Sequence, residues 1–141
     1  MELNLLARLS WPGNPPVKKN RQQILPKGTG PNRRFFIAPS IEYTAARDAA
    51  IFAIRRQYRG PALGSKDQPL RLQCMFYLPA RSKPDFDNLY TSALDILQSA
   101  GVIANDYFVL SPLPESDRIR DAESPRTEAW IFEQTDYEWM A

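Results

Sequence analysis

Asp85, Asp87 and Asp106 are the residues of this chain best suited to chemistry, because they flank one short amphipathic segment in a sequence without histidine. Side chains two apart in an extended segment leave the same face with Cα atoms roughly 6.5 Å apart, so Asp85 and Asp87 are predicted to reach one cation. Asp106 follows after one helix and a turn, where a returning chain can deliver a third oxygen ligand. An all-oxygen donor set favours a hard divalent ion, Mg2+ or Mn2+. The lack of histidine excludes a Ser-His-Asp triad, a Cys-His pair and the histidine-metal nucleases. Hydrolysis then has to rely on metal-bound water, with the ion also polarising a phosphoryl oxygen and a nearby lysine steadying the developing charge. Helix capping accounts for Asp87 or Asn88 taken singly, at about 1 kcal/mol each. It does not account for the aspartate pair together with a third carboxylate beyond the helix. Asp95 lies roughly 12 Å along the helix from Asp87 and reads as a helix-surface residue.

The totals bound what can position these groups. At 141 residues the chain is expected to form a single domain, and 43% hydrophobic with 24% charged residues fits a soluble globular protein. No apolar run approaches the roughly 20 residues needed to cross a bilayer. The N-terminal MELNLLARLSW alternates and reads as a strand rather than a signal peptide, so a cytoplasmic location and no membrane association are expected. The single Cys74 and the lack of histidine exclude a disulfide framework and a zinc cluster. Net charge is +2, yet residues 1 to 59 hold 11 basic against 3 acidic side chains and residues 60 to 141 hold 7 against 13. A polyanion held by Lys18, Lys19, Arg21, Lys27, Arg33 and Arg34 and presented to the carboxylates explains both halves. Mixing of the two halves into an ordinary surface is the competing explanation.

Periodicity supplies the scaffold. Leu3, Leu5, Ala7, Leu9 and Trp11 alternate as a half-buried strand. Prolines from Pro12 onward predict a basic, proline-rich loop over 12–32. Arg33 to Ile37 is expected to be a short strand, and Ser40 to cap a helix to about Tyr58 with Ala45, Ala49, Phe52 and Ala53 inward. Leu70, Leu72, Cys74, Phe76 and Leu78 alternate as a further strand, with Cys74 in the core. Leu89, Ala93, Ile96, Leu97 and Ala100 mark the buried stripe of a second helix that Gly101 stops. Tyr107 to Leu110 and Thr127 to Glu133 read as strands, and the tail over 134–141 as loose or a short helix.

The segment Lys83, Pro84, Asp85, Phe86, Asp87, Asn88, followed by Ala93, Leu94, Asp95, Leu97, then Gly101, Val102, Ile103, and finally Asn105 and Asp106, resembles the core of the RusA-type Holliday junction resolvase family. The resemblance is tight over these 24 residues, and elsewhere only the order of elements agrees. It implies an α/β (α+β) fold, a small mixed sheet with two main helices packed on it. It also implies a homodimeric, Mg2+- or Mn2+-dependent endonuclease that cuts four-way and other branched DNA by paired nicks, without a nucleotide cofactor. Members are often carried on prophages. By the resemblance, Asp85, Asp87 and Asp106 hold the metal. The family carries a catalytic lysine four residues after the second aspartate, where this chain has Thr91. Either another cation substitutes, Lys83 first and Lys18 or Lys19 next, or the chain is a slow enzyme or a junction-binding protein without catalysis. A phosphoryl-transfer enzyme acting on small substrates is a third reading, which normally calls for a longer chain.

Overall fold

The computed structural model describes residues 1–17, 22–79 and 84–139. In chain order these form β1 (Leu3–Pro12), β2 (Gln22–Lys27), β3 (Arg34–Pro39), α1 (Ile41–Gln57), β4 (Leu70–Leu78), α2 (Phe86–Ser99), β5 (Asp117–Arg120) and β6 (Arg126–Gln134). One mixed four-stranded sheet has the order β1-β6-β4-β5. β6 runs antiparallel to both its neighbours, and β4 and β5 are parallel. A second, two-stranded sheet pairs β2 with β3.

The alternation read from the sequence is realised most cleanly in β4, where Leu70, Leu72, Cys74, Phe76 and Leu78 are all buried. They join Leu9 and Trp11 of β1, Ala129 and Ile131 of β6, Ala50 and Ile54 of α1, and Leu89, Ala93, Ile96 and Leu97 of α2 in one core. Both helices therefore lie on the same face of the sheet. Ser40 caps α1 as expected, its Oγ accepting from Tyr43 N–H at 3.1 Å. Gly101 ends α2 with φ of +79°, a left-handed conformation that L side chains rarely adopt. Burial pushes the Cys74 thiol pKa well up, which suits an inert core residue. No helix among the described residues is long and apolar enough to cross a membrane.

Four expectations need correction, and one strand gave no signal in the sequence. The proline-rich stretch is not loop throughout, because residues 22–27 form β2. Its Pro26 sits in a two-stranded ribbon, where a missing N–H on the outer side costs no ladder bond. The inward face of α1 is Tyr43, Ala50 and Ile54, while Phe52 is 66% exposed. Arg47 shares that inner stripe and turns its guanidinium to Asp95 and Ser99, so a charged residue sits on the side of α1 that meets α2. Residues 106–108 form a 3-10 turn rather than a strand, with a lone bridge from Val109 to Leu70. β5, four exposed residues in which only Ile119 is apolar, gave no periodic signal. The tail begins inside β6, with Gln134 buried and bonded to Pro69 O, and Trp139 packed parallel to Tyr107.

Candidate active site and nucleic-acid interface

α2 begins at Phe86, one residue earlier than an extended Asp85-Phe86-Asp87 string requires. Asp85 is extended at the N-cap with φ of −65° and ψ of 144°, and its carboxylate makes no capping bond. Asp87 lies in the first helical turn, where the helix dipole favours a negative charge. The ring of Phe86 between them packs edge-on against Phe76 of β4, with centroids 5.8 Å apart, which fixes the start of α2 on the sheet.

Asp106 is reached from the other end of α2. Gln98 Oε1 accepts from Asp106 N–H at 3.2 Å, and Asn105 Oδ1 caps the following turn by accepting from Tyr107 N–H at 2.9 Å. The amide oxygen of Asn105 is therefore engaged in capping. All three aspartates are exposed, and among the described residues none of their carboxylates forms a side-chain hydrogen bond or ion pair. Neighbouring carboxylates differ. Asp95 is held by Arg47 at 3.2 Å, and Asp121 by Arg126 at 2.9 Å. The structure does not gather the three aspartates around one point, since no group of three such ligands close enough to share an ion occurs among the described residues. As a donor set they suit a hard divalent ion, with all-oxygen chemistry and free carboxylates.

Of the six basic residues expected at DNA, Lys18, Lys19 and Arg21 lie outside the described residues, as does Lys83. The other three meet at the tip of the β2–β3 hairpin. Lys27 pairs directly with Arg34, and the Arg33 guanidinium lies 5.1 Å from the centre of the exposed Phe35 ring. Like charges placed opposite on a hairpin destabilise it by a few tenths of a kcal/mol, a cost that an anionic partner relieves.

No family model matches the chain. Over 94 residues, 67% of this chain and 68% of the relative, it is 35% identical to the crossover junction endodeoxyribonuclease RusA of Aquifex aeolicus (strain VF5).

Proposed function

Since the chain belongs to the RusA family of crossover junction endodeoxyribonucleases, we propose that it resolves four-way DNA junctions by paired, divalent-metal-dependent nicks made by two copies of itself. The observation that carries this reading is the set of three exposed, unengaged carboxylates at the two ends of α2, in a domain where Asp95 and Asp121 are tied to arginines. Asp85, Asp87 and Asp106 would hold Mg2+ or Mn2+, which when bound lowers the pKa of a water and polarises a phosphoryl oxygen. Mutual repulsion keeps free carboxylates apart, and a divalent charge between them offsets it. The hairpin tip with Lys27, Arg33 and Arg34 supplies cations for the DNA backbone, continued on the sequence side by Lys18, Lys19 and Arg21. Two active sites related by a two-fold axis match the symmetry of a junction, which is why a homodimer fits the substrate.

Incubation of the protein with an end-labelled four-way junction and Mg2+ or Mn2+ tests the proposal. Wild type is expected to nick opposite strands, and Asp87→Asn to lose on the order of 10²-fold in rate. Equal nicking by the two proteins defeats it. Thr91 favours a second reading, a junction-binding protein without cleavage. That reading requires salt-sensitive junction binding by a wild type that leaves both strands intact.

A further inference from the structure

We infer that Phe35, at the tip of the β2–β3 hairpin, takes an unstacked base at the branch point of the junction on the open face of its ring. The inference rests on the junction-DNA reading and names a residue that separates branched DNA from paired duplex. Within a duplex every base is covered above and below by its neighbours, and only base edges show in the grooves. A branch point interrupts that stacking, and a base left with a bare face is a partner for an aromatic ring.

The hairpin is set apart by its pairing and its charge. Among the described residues β2 and β3 pair only with each other, as a ribbon of six-residue strands roughly 20 Å long. Residues 22–39 carry Lys27, Arg33 and Arg34 and no acidic residue. Among the described residues none of these three cations forms an ion pair. The tip itself is folded. Arg33 N–H donates to Gly30 O at 3.1 Å, and Gly28, at φ of +85°, passes so close to Asn32 O that a Cβ there would lie 3.2 Å from it.

Directly paired residues leave a ribbon on the same face, and successive pairs alternate. Lys27 and Arg34 therefore share one face, and Pro26 and Phe35 the other. Arg33 belongs with Phe35, its guanidinium lying 5.1 Å from the ring centre. Phe35 is 64% exposed even so, which leaves the ring face away from Arg33 open. An aromatic ring flanked by cations is the combination that unpaired nucleic acid calls for, the ring for a base and the cations for its backbone. Lys27 and Arg34, on the reverse of the ribbon, are left for the phosphates of an adjoining arm.

Binding without divalent ion to a four-way junction and to a paired duplex of the same arm sequence, across a salt series, tests the assignment on Phe35→Ala, Phe35→Leu and Phe35→Trp. Phe35→Ala is expected to bind the junction about 5 to 150-fold more weakly, the worth of one stacked base, and the duplex within about twofold of wild type. Its salt slope should not change, because no phosphate contact is lost. Phe35→Trp, which keeps a flat ring, should bind as wild type does. Phe35→Leu, apolar but without a flat face, should be as weak as Phe35→Ala. Iododeoxyuridine placed at the branch point should crosslink on irradiation to the segment holding Phe35, and the same base placed mid-arm should not. Unchanged junction affinity in Phe35→Ala or Phe35→Leu, equal weakening on both DNAs, or a mid-arm crosslink of equal yield overturns the assignment. None of these readings uses cleavage, so a wild type that binds the junction without nicking it sinks the nuclease reading alone.

Discussion

Gln98 shows how little of the site is held by the aspartates themselves. Asp106 reaches α2 through its backbone, whose N–H is accepted by the Gln98 side chain, while the Asn105 cap fixes the turn that follows. Its carboxylate remains free because the local structure makes no demand on it. Gln98 is thus a positioning residue, and Gln98→Ala should slow junction cleavage by about 10 to 10²-fold through misplacement of Asp106. Junction affinity measured without divalent ion should be unchanged, and Gln98→Glu, which keeps the acceptor, should recover the rate. An equal loss in affinity and rate would instead mark a merely structural role. Residue types alone were enough to single out Asp85, Asp87 and Asp106, since three carboxylates near one helix in a chain without histidine leave few alternatives. They were not enough to find Gln98, whose bond to Asp106 N–H depends on how the chain turns back after α2.

Among the elements, β5 was the least legible. β4, β6 and α2 announce themselves by periods of two and 3.6 because each buries one face. β5 is a short edge strand whose charged side chains face solvent, a composition that protects an edge from pairing with another chain. It therefore resembles a loop in sequence. What holds its end is local: Asp121, just past β5, bonds Arg126 at the start of β6, and Asp121 N–H donates to Leu78 O of β4. The hydrogen bond from Arg126 holds the Asp121 carboxyl below its ordinary pKa. A lowered folded-state pKa stabilises above the unfolded value, about 3.9 for aspartate, and that stabilisation fades as pH falls through the folded value. Protection of the amides of residues 117–120 relative to their intrinsic exchange rate is therefore expected to fall below about pH 4 in wild type. Asp121→Asn should show faster exchange already at neutral pH and a flatter pH profile. Identical profiles in the two proteins would show that the Asp121–Arg126 pair does not restrain β5.

At the scale of the whole molecule, the sheet has two faces with different fates. The face under α1 and α2 is sealed in the core. The other presents half-buried Met75, Tyr77, Trp130 and Phe132 between Leu5, 55% exposed, and Ile119, 54% exposed, with Arg8 lying 5.6 Å above the Trp130 ring. Strands 4.8 Å apart and about nine residues long make this face on the order of 500 Å² in projection, comparable with the roughly 800 Å² of accessible surface that each partner buries in a standard interface. A second copy is the occupant that the proposed reaction calls for, because paired nicks need two equivalent sites on one junction. Sedimentation at micromolar concentration should show a wild-type dimer, and Trp130→Glu, which replaces the largest apolar side chain at the centre of the face with a charge, should shift it to monomer. That monomer keeps Asp85, Asp87 and Asp106, so it should still nick one strand while losing the near-simultaneous second cut. A monomeric wild type that still cuts both strands together would remove the need for the partner. A Trp130→Glu protein that stays dimeric would move the interface to another surface.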